Sequence, residues 1–296
     1  MHHSCSGPKF LARAGARPGP PATPGHGRDA GDSGDYRGRV SSVSTVHRKS
    51  WPAAPPGFFE VEAAGLRWLG EAQPRGGARV VEVRGVGAHH IDLARLRSAR
   101  PTEEAAEALG RGLAVTHAAG APAFGSPPAG WTGDAWVGRQ TQSNVPTPSW
   151  GLFYAEQRVR PFVRRALDRG HLDAAGARTV DRVCDRLASG DVDDDSPPAR
   201  VHGDLWSGNV VFTADGAVLI DPAAHGGHGV TDLAMLALFG CPGLGRIGAA
   251  YEEAAGLAPG WRDTVGLHQL HPLAVHAASH GPAYAAQLVE TARPFA

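Results

Sequence analysis

Three oxygen-bearing side chains fall within one short stretch, Arg200 to Asp221. The run reads Arg-Val-His-Gly-Asp-Leu-Trp-Ser-Gly-Asn-Val-Val-Phe, then Thr-Ala-Asp-Gly, then Ala-Val-Leu-Ile-Asp. Asp204, Asn209 and Asp221 supply the hard oxygen ligands that Mg²⁺ takes alongside phosphate oxygens. A carboxylate left free of the metal can accept a proton from a substrate hydroxyl. Asp204 and Asn209 show the Asp-x4-Asn spacing of a phosphoryl-transfer catalytic loop. Transfer from ATP asks for these parts together: a base, an Asn and an Asp on metal, and a Lys on the phosphates.

The surrounding residues can bring the three together. Two apolar runs, Val210–Phe212 and Ala217–Ile220, flank a turn at Asp215-Gly216, which signals a hairpin. A hairpin closes its own ends, so Asp204, Asn209 and Asp221 converge, with His202 just ahead of them. A polar turn capping a strand is the plainer reading. His-Gly-Asp-x4-Asn followed by a hairpin and Ile-Asp is too specific a combination for it.

The lysine is almost decided by composition. Of 29 Lys plus Arg, only Lys9 and Lys49 are lysine. Where Arg is so preferred, a lone Lys points to a compact ammonium on a phosphate. Its partner is sought in Phe58-Phe-Glu-Val-Glu-Ala-Ala-Gly-Leu-Arg-Trp-Leu, whose Phe59, Glu62, Leu66 and Leu69 recur at helical spacing. Glu62 lies on the inward face and needs a cation, because an unpaired buried carboxylate is costly. Glu60 is expected on the opposite, solvated face.

The stretch resembles the catalytic and metal loops of the fructosamine/ketosamine kinase family, within the wider group of aminoglycoside- and choline-kinase-like small-molecule kinases. Trp206 in His-Gly-Asp-Leu-Trp-Ser-Gly-Asn is the distinguishing residue. Ile-Asp-Pro-Ala, Gly-His, Asp-Leu-Ala-Met-Leu and Gln269-Leu270-x-Pro-Leu are also similar, so the resemblance runs from about Phe58 to the C-terminus. It implies a two-lobed protein-kinase-like α+β fold, with a small antiparallel-sheet N-lobe over residues 31–98 and a larger, mainly helical C-lobe over residues 99–296. It implies that ATP and Mg²⁺ are used, and that the acceptor is a ketosamine, small or protein-bound, phosphorylated on its 3-hydroxyl. The phosphorylated adduct breaks down and frees the amine, a deglycation role. Asp204 would then be the base, Asn209 and Asp221 the Mg²⁺ ligands, Lys49 and Glu62 the nucleotide pair, and Trp206 a wall of the acceptor site. His202, His228 and Asp232 would support them, Asp232 by capping its helix or orienting the catalytic loop.

The family pattern of a Gly-rich turn, two clean strands and Val-x-Val-Lys is poorly kept before Pro52. Only Val46-x-x-Lys49 matches. Three other readings follow: a kinase of the same fold for an aminoglycoside or amino alcohol, a catalytically impaired pseudokinase, and a metal-dependent hydrolase built on His202, Asp204, Asp221 and His225.

Bulk properties exclude other classes. Net charge is zero and the pI about 7.3, so neither nucleic acid nor an anionic membrane is an expected partner. No apolar run reaches the length of a membrane span, and residues 1–30 lack the apolar core expected of a secretory signal. Cys5, Cys184 and Cys241 give no disulfide or zinc framework, which fits a reducing cytoplasm. A monomer or weak dimer is expected.

Along the chain, residues 1–30 read as a disordered tail rich in Pro, Gly and Arg. Val80–Ala88 and His90–Leu96 read as two strands around a turn. Pro101-Thr-Glu-Glu opens a helix continuing to His117. Residues 119–150 form a Gly/Pro-rich loop whose Trp131, Trp136 and Trp150 either stack on a sugar or pack the loop down. Ser149 caps a helix to about Asp168, and a second helix spans Ala174–Leu187. Asp191–Asp195 reads as a solvated linker, His225-Gly-Gly-His228 as a loop, and His268, His271, His276 and His280 as polar helix faces.

Overall fold

The computed structural model describes residues 45–296. The tail expected over residues 1–30, and the glycines that would cover a nucleotide, lie outside the described residues. The chain opens with β1 (Val46–Ser50), α1 (Phe58–Gly70), β2 (Val83–Gly87) and β3 (His90–Ala94). These strands form an antiparallel sheet in the order β1-β3-β2, with Lys49 opposite Ile91. Ile91 and Leu93 turn inward and meet Phe59, Ala63 and Leu66 of α1, burying the helix face read from its periodicity.

Helix α2 (Glu103–Ala118) follows, capped by Thr102, whose side chain accepts from the Ala105 N–H. Next come the short hairpin β4 (Ala135–Val137) and β5 (Gln140–Gln142), then α3 (Trp150–Phe153), a π turn over Tyr154–Val159, α4 (Arg160–Asp168) and α5 (Ala174–Ser189). Ser149 caps α3. The site is built from β6 (Ala199–Val201), β7 (Val210–Thr213), β8 (Gly216–Leu219) and β9 (His225–Gly227), with β6 paired to β9 and β7 to β8. The chain closes through α6 (Gly229–Phe239), α7 (Leu244–Ala255), α8 (Val265–His268), α9 (Leu270–His280) and α10 (Pro282–Ala292). The result is the two-lobed α+β arrangement that the resemblance implies.

Three expectations need correction. Residues 225–227 are a strand, because Gly226 and Gly227 let β9 lie close against Ala123 and Val201, where any Cβ would collide. The acidic segment is anchored: Asp193 accepts from the Gly151 N–H at 2.9 Å, and Asp194 binds His228 at 3.1 Å. His268 and His271 are buried, within helices that are apolar on nearly every side.

Helices α2 and α7 cross at Gly110, where an added Cβ would stand 2.2 Å from the Ile247 carbonyl oxygen. Backbone cannot yield as a side chain tip can. Gly110→Ala is therefore expected to lose about 1–3 kcal/mol through overpacking, read as a fall in Tm.

Candidate active site

The hairpin brings its ends together. The Asn209 side-chain amide donates to the Asp204 carbonyl at 2.8 Å, to Asp204 Oδ2 at 3.3 Å and to the Asp221 carbonyl at 3.4 Å. Ile220 N–H donates to the Asn209 carbonyl at 3.1 Å, tying the strand end to the loop. Asp221 holds φ at +53°, an uncommon conformation for a residue other than Gly that often marks a functional position. The sharp turn before Asp204 uses Gly203 at φ +80°, where a Cβ would stand 2.3 Å from the Ala223 carbonyl oxygen.

Asp232 fixes this loop from beneath. It lies in the first turn of α6, 1% exposed. Its carboxylate accepts from the His202 N–H at 2.7 Å and the Gly203 N–H at 3.0 Å, and from His117 at 3.1 Å. Burial works against the Asp232 charge, but the His117 bond and the nearby His202 hold its pKa below the usual carboxylate value. Of its two expected roles it takes the second, orienting the loop. His228 is the cap of α6, its Nδ1 accepting from the Val230 N–H.

Lys49 and Glu62 meet across the sheet–helix contact, Nζ to Oε2 at 2.8 Å, and Lys49 also reaches Asp221 at 3.3 Å. Burial disfavours the ammonium, but the charges of Glu62 and Asp221 outweigh it and raise the Lys49 pKa. Glu60 is half-buried, with one carboxylate oxygen closed off and unpartnered, so its side of α1 is not the solvated face expected.

Two cavities share one wall. A cleft of about 300 Å³ is lined by Lys49, Glu62, Asn209, Asp221, Asp204 and Trp206. A larger cavity of about 560 Å³ is also lined by Asp204 and Trp206, with Met235, Phe239, His271 and Tyr284 among its other walls. Burial pushes the Asp204 carboxyl up to about 7; Asp221 and Asp232 add to this, while Asn209 and Lys49 oppose it. Trp206 is 43% exposed, and its ring lies so close to Gly208 that a Cβ there would meet it at 2.3 Å.

Sequence reasoning missed a third hollow, about 230 Å³, between the sheet and the hairpin. Val81, Leu93, Leu96, Val211 and Ile220 give it an apolar lining, and Lys49 and Asp221 stand at its edge. It also missed the burial of Arg158, whose guanidinium donates to the Ser143 carbonyl at 2.6 Å and to Asn144 Oδ1 at 2.7 Å. Trp150 stacks on His268 in the core, 4.4 Å between centroids, so it packs the loop and does not face a sugar. Trp136 lines the smaller cleft.

A divalent cation fits this donor set. Asn209 Oδ1 accepts no hydrogen bond from the described residues, and the Asp221 carboxylate meets only Lys49. Among the described residues no cluster of three or more His, Cys, Asp or Glu could hold a metal. Two protein oxygens suffice where phosphate and water supply the rest.

The fructosamine kinase family model matches residues 43–293. The chain belongs to the fructosamine kinase family. A probable ketoamine kinase of Thermus thermophilus is 33% identical over 231 residues, 78% of each chain. A Thermobifida fusca crystal structure, provisionally named a fructosamine-3-kinase, is 48% identical with a TM-score of 0.77, covering 84% of this chain and 85% of that one. The gentamicin complex of APH(2″)-IIa shares only the fold, at 11% identity, with a TM-score of 0.54 and coverage of 84% and 87%. As a member of this family the chain is an ATP-dependent phosphotransferase of protein-kinase-like fold. No helix among the described residues is long and apolar enough to cross a membrane.

Buried neutral histidines predict how the protein responds to acid. Burial pushes His225 down to about 3 and holds His268 and His271 well below the ordinary value. They stay uncharged when folded and protonate near 6.5 when unfolded, so the unfolded chain binds more protons. Stability is then full above about pH 6.5 and falls below it, by roughly 1 kcal/mol per histidine per pH unit. Thermal melts at pH 7.5 and 5.5 check this; an unchanged Tm would contradict it.

Proposed function

We propose that the chain transfers the γ-phosphoryl group of ATP to the 3-hydroxyl of a ketosamine, small or protein-bound, and that breakdown of the product frees the amine. The observation that carries this is that Asp204 walls both the cleft holding Lys49, Asn209 and Asp221 and the larger cavity beside it. A base at that boundary faces phosphate on one side and acceptor on the other. As the acceptor oxygen bonds to phosphorus, the phosphorus–oxygen bond to ADP breaks and the hydroxyl proton passes to Asp204. Lys49, set by Glu62, holds phosphate oxygens. Asn209 and Asp221 would hold Mg²⁺, which when bound would supply charge neutralisation for the transferring phosphate. The apolar hollow beside Lys49 takes the adenine. Residues up to 98 thus serve the nucleotide, and the remainder serves catalysis and the acceptor. The reaction takes place in the cytoplasm, on a monomer or weak dimer.

The rival readings fare worse. An aminoglycoside is a polycation, and Asp204 is the one carboxylate lining the larger cavity among the described residues. For the hydrolase, His202 has both nitrogens engaged, with Ile220 and Asp204, and His225 donates to the Ala223 carbonyl. Against a pseudokinase stand Asp204, Asn209 and Asp221, all intact and brought together by the hairpin. The test is the position of the new phosphate. Phosphorus–proton NMR of the product of a fructosamine acceptor is expected to couple phosphorus to the proton on C3; coupling elsewhere would refute the regiochemistry.

A further inference from the structure

One wall of the larger cavity has no task in the mechanism above. Helix α9 lines it with His271, Val275, His276 and Ser279, and β5 adds Gln140. His271 is 4% exposed, and neither ring nitrogen has a hydrogen-bond partner among the described residues. Its backbone N–H is taken by Tyr154 Oη, which holds the ring's place on the wall. Gln140 donates through Nε2 to Ser279 Oγ at 2.5 Å and to the Val275 carbonyl at 3.3 Å. That fixes the amide's orientation and leaves Oε1 without a partner. His276 donates from Nδ1 to the Pro272 carbonyl at 2.8 Å, so in its neutral form Nε2 is an acceptor. Burial keeps both imidazoles uncharged near neutrality. Phe239 and Tyr284 hold the His276 ring at centroid distances of 4.7 and 5.0 Å.

Buried polar groups without partners are costly, and a bound ligand is one way the cost is met. Around the cavity stand an amide oxygen, an imidazole acceptor and an imidazole that can both give and take; the Gln140 oxygen and His271 Nε2 are closed off just behind its surface. Hydroxyls match such a set, since each donates and accepts. The ammonium groups of a polycation match it less well, since they only donate and the wall offers them no carboxylate. We infer that Gln140, His271 and His276 select the acceptor by hydrogen-bonding the hydroxyls of an uncharged polyol chain. This rests on the reading under Proposed function and specifies which part of the acceptor is recognised.

The probe is a series of ketosamines made from one amine and a six-carbon sugar. Each hydroxyl other than the phosphorylated one is replaced in turn by hydrogen, and ADP release is followed. For the unmodified chain, at least one deoxy analogue is expected to lose about tenfold or more in kcat/KM. His271→Phe keeps the ring's bulk without its nitrogens. It should raise KM for the parent acceptor by about the same factor, leave KM for ATP unchanged, and remove the gap between the parent and that analogue. His271→Gln, which can still hydrogen-bond, should restore part of the gap. Gln140→Leu should erase discrimination at a second hydroxyl. The inference is overturned if the unmodified chain discriminates against no deoxy analogue, a result that needs no variant to fold. It is equally overturned if His271→Phe preserves every ratio. Turnover without discrimination sinks this inference alone; no turnover of any ketosamine sinks the proposed function and this with it.

Discussion

Asp204→Ala is expected to lower kcat about 10²–10⁴-fold while leaving KM for ATP and for the acceptor nearly unchanged. The side chain lines both cavities, yet most of their lining, where nucleotide and acceptor are proposed to bind, comes from other groups. What the variant removes is the proton acceptor at their junction. A carboxyl raised to about 7 in this setting is close in basicity to the operating pH, where a general base is most effective. Asp204→Asn should fail almost as badly. It preserves the shape and can still receive the Asn209 amide through Oδ1, but it cannot take the proton. Steady-state kinetics on both variants decide the matter. A large rise in KM with kcat preserved would make Asp204 a binding residue.

The second large effect belongs to Asp232, which never lines either cavity. Asp232→Ala leaves the His202 and Gly203 N–H groups, bound at 2.7 and 3.0 Å, buried and unpaired, and strips His117 of its carboxylate. Breaking a buried, hydrogen-bonded charge cluster from one side typically costs about 3–5 kcal/mol. For a chain of this size that is roughly a 6–20 °C fall in Tm. Because those two amides hold the turn carrying Asp204, turnover should fall even at temperatures where the variant stays folded. A variant with full stability and reduced activity would mean that Asp232 acts otherwise than by holding this turn.

How much could be read in advance depended on range along the chain. Asp204, Asn209 and Asp221 were legible together because one hairpin of local sequence closes them. The Lys49–Glu62 pair was legible because helix phase put Glu62 inward, where it needs a cation. The resemblance carried the fold class and, with it, the family. The pairing of Ala199–Val201 with His225–Gly227 was not legible, because two adjacent glycines look like a turn whether or not a neighbouring strand demands their lack of a Cβ. The anchoring of Asp194 by His228 spans 34 residues, which no local pattern records. His268 and His271 were misread for a related reason: spacing among histidines looks polar. For His271 the better signal was its company, since Leu270, Leu273, Ala274, Val275, Ala277 and Ala278 bury most of α9 and leave only its C-terminal end exposed. Glu60 shows the limit of helix phase: it lies off the face of α1 that the periodicity picks out, yet it is half-buried with one carboxylate oxygen closed off.

The most direct test of the central claim is a single-turnover reaction with ATP labelled at its γ-phosphate, a fructosamine acceptor and Mg²⁺. Label is expected to appear on the acceptor in step with ADP. Label released only as inorganic phosphate, with the acceptor untouched, would contradict the claim.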